Sequence, residues 1–169
     1  MSKIRLYSTD NNIEDDDKVV GTDVTGNNTK NYEMSAIRSY VGSTSVVTKE
    51  VTLTSEQLLS LDGGGTVELI AAPGAGKVIV PISIVGFLDF NTTSYDFSNG
   101  VVVSLGTTSY ITIPASTMNS SADKYFNGTG FAQNLSDNSA LNLYTTTHTV
   151  TTGYSPLTLS ITYRIVDFS

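Results

Sequence analysis

The side chains that most often carry catalysis are scarce in this chain. His148 is the only histidine and cysteine is absent, so a zinc site or a Ser-His-Asp relay would depend on a single imidazole. His148 stands within a run of threonines, and the sequence holds no Gly-x-Ser-x-Gly motif for a nucleophilic serine. We interpret His148 as a surface residue and predict that the protein is not an enzyme.

Carboxylates are the next candidates for chemistry. The run from Asp15 to Asp17 lacks the alternate ligand spacing and the glycine turn of a calcium loop, so we interpret it as a solvated acidic patch. A carboxylate pair for glycoside hydrolysis stays open, although no aromatic-lined context marks one. We predict no metal site and no cofactor. The carboxylates available for such a pair are Asp89, Asp96, Asp123 and Asp137.

The segment from Pro73 to Lys77 invites comparison with a phosphate-binding loop and departs from it. Ala71 stands where the first glycine belongs, and Val78 follows the lysine where a hydroxyl would bind Mg²⁺. No helical pattern follows that could present its N-terminus to a phosphate. The segment therefore predicts a glycine turn between two strands.

Tyrosines remain as candidates for binding, since the chain has nine of them. An exposed tyrosine can stack on a sugar or bind a protein surface, and the alternative is packing at strand edges. Both interpretations stay open. The candidate surface ligand contacts are Tyr110, Tyr125 and Tyr144.

Charge and composition limit the partners and the fold. The net charge is −7 and the basic residues form no stripe, so we predict no nucleic-acid partner and no membrane partner. The N-terminus lacks the apolar core of a signal peptide, and no apolar run is long enough to span a membrane. Threonine, serine, asparagine and glycine replace helix formers, which favours strands and turns.

Residues 46–169 show the pattern of an antiparallel β-sandwich. In the last strand apolar and polar residues alternate from Leu157 to Tyr163, as in a strand buried on one side. The stretch from Lys77 to Phe90 is apolar on both faces, so we interpret it as a central strand in which Pro81 and Gly86 force an edge position, a bend or a bulge. We predict an all-β fold, an antiparallel β-sandwich with jelly-roll character. The predicted strands are Val46–Leu53, Thr66–Ala72, Lys77–Phe90, Val101–Leu105, Tyr110–Ile113, Lys124–Phe131, Leu141–Thr147 and Leu157–Phe168.

Two short features accompany these strands. Thr54 and Gln57 have the spacing of a capping box, which predicts one helical turn between the first two strands. Residues 1–42 form a separate N-terminal segment, with Val19 and Val20 as its first candidates for burial. A short linker joins this segment to the sandwich. A small amphipathic helix is predicted there from the helical spacing of Tyr32, Ala36, Ile37, Tyr40 and Val41.

The N-terminal segment resembles one found on many phage fibre and appendage proteins. That pattern is an acidic stretch and lysine, Gly-Thr-Asp, a polar turn, Thr-Lys-Asn-aromatic and a short helix ending in an aromatic residue. The resemblance implies an anchoring or assembly role for these positions. The residues that match are Asp17, Lys18, Gly21, Thr22, Asp23, Thr29, Lys30, Asn31, Tyr32, Ile37 and Tyr40.

A second stretch, from Val51 to Phe90, looks like a module common among phage structural proteins. It combines Thr-Ser-x-Gln-Leu, a Val-Glu-Leu strand and Pro-Gly-Ala-Gly-Lys before a long apolar strand. Together the two resemblances imply a virion protein assembled in the host cytoplasm, with other virion proteins as partners and a homotrimer as its oligomer. The expected function is a head fibre or capsid decoration protein. The alternative is a tail-fibre tip that binds a receptor or host surface glycan.

Overall fold

A computed structural model describes residues 16–22, 29–37, 46–128, 134–146 and 150–169. The chain forms two compact units, Met1–Thr44 and Ser45–Ser169. In the first unit, β1 (Lys18–Thr22) pairs antiparallel with β2 (Thr29–Glu33), and helix α1 begins at residue 34 and is described through residue 37. The predicted helix is therefore wrong at Tyr32, which lies in a strand, and right at residues 34–37, whereas Tyr40 and Val41 lie outside the described residues.

The described part of the second unit contains eight strands, and each overlaps one of the eight predicted strands. The sequence did not predict α3, and it placed the one-turn helix α2 correctly. The elements are β3 (Val47–Leu53), α2 (Ser55–Leu59), a 3₁₀ turn (Asp62–Gly64), β4 (Thr66–Ile70), β5 (Lys77–Leu88), β6 (Val101–Leu105), β7 (Thr108–Ile113), α3 (Ala115–Met118), β8 (Lys124–Gly128), β9 (Leu141–Thr145) and β10 (Leu157–Asp167).

The eight strands form two four-stranded antiparallel sheets, ordered β3-β10-β5-β8 and β4-β9-β6-β7. The predicted all-β antiparallel sandwich is confirmed. The first and last strands lie side by side, as do other strands far apart in sequence.

The alternation in β10 places the core where the sequence predicted it. Leu157, Leu159 and Ile161 are fully buried, whereas Thr158 and Ser160 between them are half-buried. One hydrophobic cluster joins the inner faces of both sheets, which makes the sandwich a single cooperative core. The largest fully buried side chains are Leu53, Leu58, Leu61, Leu69, Ile79, Ile84, Leu88, Leu105, Ile113, Met118, Leu141 and Leu143.

Strand β5 is central in its sheet, between β10 and β8. Of the alternatives predicted for Pro81 and Gly86, the edge position is wrong and the bulge is right. The register with β10 shifts between Thr162 and Tyr163, so Ile82 is the extra residue on β5. At Gly86 the ring of Phe126 on β8 occupies the space of a side chain, since a Cβ there would lie 2.0 Å from Phe126 Cζ.

Helix α2 begins with the predicted capping box. The Gln57 N–H donates to Thr54 Oγ1 at 3.3 Å, and the Thr54 N–H donates to Gln57 Oε1 at 2.9 Å. This cap fixes a helix of only five residues, so that Leu58 and, just beyond it, Leu61 reach the core.

The strand directions give the sandwich two distinct ends. Strand β3 begins with Val47 opposite Tyr163 of β10, so the chain enters and leaves the sandwich at one end, which we call the basal end. The opposite, distal end carries the connections 54–65, 89–100, 114–123 and 150–156. Within the described ranges, no helix has the length and apolar character needed to cross a membrane.

Candidate functional site

The hairpin of β1 and β2 brings most of the predicted anchoring residues together. Lys18 lies opposite Glu33, Val19 opposite Tyr32 and Gly21 opposite Lys30. Val20 lies opposite Asn31, and Thr22 opposite Thr29. Two motifs separated by a polar stretch in the sequence are therefore one structural element. Asp23 and Tyr40, which the sequence also assigned to this site, lie outside the described residues.

Apolar side chains are exposed on both faces of this hairpin. Val19 is 47% and Val20 66% exposed, and adjacent residues of a strand point to opposite faces. Tyr32, 38% exposed, packs its ring over Gly21, where a Cβ would lie 2.9 Å from the ring. The burial predicted for Val19 and Val20 is thus not provided by the described residues of this chain.

The end of the hairpin is closed by a backbone hydrogen bond. The Met34 N–H donates to the Asp17 carbonyl at 2.9 Å, which holds the start of helix α1 against the start of β1. Ile37 in this helix is half-buried. An isolated two-stranded hairpin is marginally stable in water, so this element gains stability when a partner covers its valines.

The structure contradicts one of the three predicted surface tyrosines. Tyr110 is 8% exposed, and its hydroxyl donates across the sandwich to the Pro81 carbonyl at 2.7 Å. A register shift between Val103 and Ser104 places Tyr110 and the adjacent Ile111 on the same inner side. Burial raises the pKa of the Tyr110 hydroxyl. The prediction that Tyr110 contacts a surface ligand is wrong, because its side chain joins the two sheets.

The other two tyrosines lie on the outer faces of different sheets. The hydroxyl oxygen of Tyr144 on β9 lies 3.2 Å from Ser109 Oγ on β7. Since β6 separates these strands, the ring crosses β6, whose outward-pointing Ser104 is 4% exposed. Tyr125 on β8 is 78% exposed and stacks on Phe87, with ring centroids 4.5 Å apart. The structure therefore does not combine the three tyrosines into one site.

Two of the four candidate carboxylates, Asp96 and Asp123, bind backbone groups of the distal loops. Asp96 accepts hydrogen bonds from the Thr151 hydroxyl and N–H and from the Thr152 N–H. These bonds, first that of the Thr151 hydroxyl, lower the pKa of Asp96 to about 2. Asp123 accepts from the Phe90 N–H at 3.0 Å. Such contacts hold loops in place, and the lowered pKa of Asp96 is the opposite of the raised pKa that a general acid needs.

The described residues were predicted to hold neither a metal site nor a phosphate-binding loop, and two groups of residues bear on this. No group of three or more histidine, cysteine or acidic residues in the described ranges could hold a metal ion. The segment Pro73–Lys77 is a turn between β4 and β5, with Gly74 and Gly76 at positive φ. Lys77 Nζ lies 3.6 Å from Asp167 Oδ2. His148 lies outside the described residues.

Sequence reasoning missed three polar side chains that organise the loops. Asn119 binds the backbone of Phe97 twice, accepting from its N–H at 2.9 Å and donating to its carbonyl at 2.8 Å. Asn138 accepts from the Gly74 N–H at 2.9 Å. The Tyr95 hydroxyl donates to the Ser155 carbonyl, and burial raises the pKa of Tyr95 to about 12. No local motif marks these residues, because each partner is distant in the chain.

Comparisons of this chain with protein-family models, with curated proteins and with solved structures gave no match.

Proposed function

We propose that this protein is a structural component of a phage particle, a head fibre or decoration protein displayed on the virion surface. Its N-terminal unit anchors it to other virion proteins, and the sandwich is the displayed part. The proposed role is non-enzymatic. It rests on the resemblance of the N-terminal segment to those of phage appendage proteins, and on the geometry of the hairpin.

The observation that carries the proposal is the exposure of Val19, Val20 and Tyr32 on a two-stranded hairpin. Exposing these side chains to water is unfavourable, and burying a valine or an aromatic ring contributes roughly 1.5–3 kcal/mol. A partner that covers both faces of the hairpin would gain this energy. An anchoring segment needs this property, whereas a hairpin that only preceded a sandwich would not.

The sandwich supports a display role through its distal end. The side chains of Asp96, Asn119 and Asp123 accept hydrogen bonds that tie the distal connections to one another. The Asn91 N–H and the Asp89 N–H add bonds to Ser155 Oγ and to the Pro156 carbonyl. Loops held in this way remain ordered at an exposed surface.

The alternative of a glycan-binding tip is less well supported. Of the three tyrosines on which it was based, Tyr110 is buried and Tyr144 lies across β6. Tyr125 alone offers an exposed ring. One ring stacked on Phe87 lacks the convergent polar groups that fix the orientation of a small ligand.

The test is the composition of purified phage particles. We expect the full chain in particles by quantitative mass spectrometry. A chain lacking residues 1–44, or carrying Val20→Ser and Tyr32→Ser together, should be strongly depleted from them. The matched control is Val46→Ser with Tyr154→Ser, which changes two exposed side chains of the second unit and should leave incorporation unchanged. Particles without the wild-type chain, or normal incorporation of the truncated chain, would refute the proposal.

A further inference from the structure

The outer face of the sheet β3-β10-β5-β8 divides into two halves of different chemistry. On β3 and β10 it presents hydroxyls, which pair across the strands: Thr48 with Thr162 at 3.0 Å, and Thr52 with Thr158 at 3.1 Å. On β5 and β8 it presents mainly apolar and aromatic side chains, with Ser83 and Asn127 as polar residues among them. The residues of this apolar half are Val80, Ile82, Val85, Phe87 and Tyr125.

The apolar half is not covered by the described residues of the chain. Ile82 is 40%, Val85 50% and Tyr125 78% exposed. A sheet with one face in water normally presents polar residues outward, and β3 and β10 follow this rule. Strand β5 follows it only at Ser83, since Val85 and Phe87 also point outward and its bulge presents another aliphatic residue, Ile82. Contiguous apolar surface of this kind marks a binding surface.

We propose that this face packs against other copies of the same chain. The first argument is electrostatic, because the chain carries a net charge of −7 and copies of it repel each other over most of their surfaces. The face carries one acidic residue, Glu50, and one basic residue, Arg164. They lie apart, since Glu50 is opposite Ser160 while Arg164 follows four residues later on β10.

Glu50 and Arg164 are both exposed, and neither forms a salt bridge with another residue in the described ranges. When two copies approach through this face, Glu50 of one copy can pair with Arg164 of the other. The face is neutral overall and self-complementary in charge. This property favours a second copy over an unrelated acidic or basic partner.

The second argument is size. Four strands spaced about 4.8 Å apart, over seven residues of about 3.3 Å each, give a plane of roughly 450 Å² per copy, or about 900 Å² for two faces. This area lies at the lower end for specific protein contacts. We therefore expect a concentration-dependent association of the free chain, strengthened where copies are held close together on a particle.

The test is the mass of the full chain in solution, measured by sedimentation velocity over a wide concentration range. We expect wild-type oligomers, and we expect Val85→Lys to weaken the association by about tenfold or more. The matched control is Thr112→Lys, which adds the same charge to an exposed position of the other sheet and should leave the association unchanged. Circular dichroism confirms that both variants are folded.

Charge reversal makes the test independent of packing defects. Glu50→Arg should weaken the association by placing like charges together, and Glu50→Arg combined with Arg164→Glu should restore it. A wild-type chain that is monomeric throughout, a Val85→Lys variant that associates normally, or a double variant that is not restored would each overturn the proposal. So would a monomer that binds neutral oligosaccharides through Tyr125, because the face would then be a ligand site. None of these outcomes depends on phage particles, so the proposed function is tested separately, by the composition of those particles.

Discussion

At the residue scale, short side chains that bind distant backbone groups determine the geometry of the loops. Asp96 is the strongest case, since three hydrogen bonds converge on its carboxylate and one of them comes from a hydroxyl. The bonds favour the ionised form, which is why its pKa falls to about 2.

We expect the contribution of Asp96 to stability to depend on pH. Because its pKa is lowered on folding, the stabilisation is complete above the unfolded-state value of about 4 and is lost as the pH falls towards about 2. Asp96→Asn keeps the shape and removes the charge. Since the carboxylate is exposed and screened by solvent, the loss should be at most about 1 kcal/mol at neutral pH.

Thermal melts of wild type and Asp96→Asn from pH 7 to pH 2 measure this effect. The two midpoints should differ at pH 7 and converge at the acid end. Asp137→Asn is the matched control, because Asp137 lies in another exposed loop and no hydrogen bond of its carboxylate is found among the described residues. A difference between wild type and Asp96→Asn that persists unchanged at pH 2 would contradict the expectation.

Tyr110 shows where sequence reasoning reaches its limit at this scale. An alternating strand would place Tyr110 and Ile111 on opposite faces, but a bulge against Val103 and Ser104 places both inside. A bulge depends on the register between β7 and its partner β6, and the alternation within either strand does not mark that register. The same limit applies to Asn119 and Asn138, whose partners lie on other loops.

At the element scale, the strands of the sandwich could be predicted because each carries its own pattern. Alternation in β10 and the capping box before α2 are local signals, and both are confirmed. The hairpin of β1 and β2 was missed as an element. Tyr32 has helical spacing with Ala36, and only the pairing with β1 makes Thr29–Glu33 a strand.

The capping box gives a prediction for helix α2. Thr54→Ala removes the acceptor of the Gln57 N–H and should lower the free energy of unfolding by about 1 kcal/mol. Thr54→Ser retains the hydroxyl and should be close to wild type. Urea unfolding followed by circular dichroism compares the three chains. Equal losses for both variants would show that the threonine methyl group, and not the hydrogen bond, is what matters.

At the scale of the whole molecule, the buried core formed by the described residues lies in the second unit, from Leu53 to Ile161. The fold class could be predicted from composition and periodicity. The sheet order could not, because it joins strands far apart in the chain, such as β3 and β10. The outer apolar face was visible in the sequence only as a strand that is apolar on both sides.

This distribution of the core predicts that residues 45–169 fold without the N-terminal unit. Their free energy of unfolding should equal that of the full chain within about 0.5 kcal/mol, with a single transition. Calorimetry of the two chains at low concentration, where association does not contribute, makes the comparison. A broadened or strongly lowered transition in the shorter chain would show that the first unit completes the core.

The position of β3 beside β10 has a mechanical consequence for a protein held through its N-terminus. Tension between that attachment and the distal loops would pull β3 lengthwise along β10. Seven register pairs, from Leu157 with Leu53 to Tyr163 with Val47, would then resist the load in shear, all at once rather than one after another. The strand that receives the force is thereby the one best placed to withstand it.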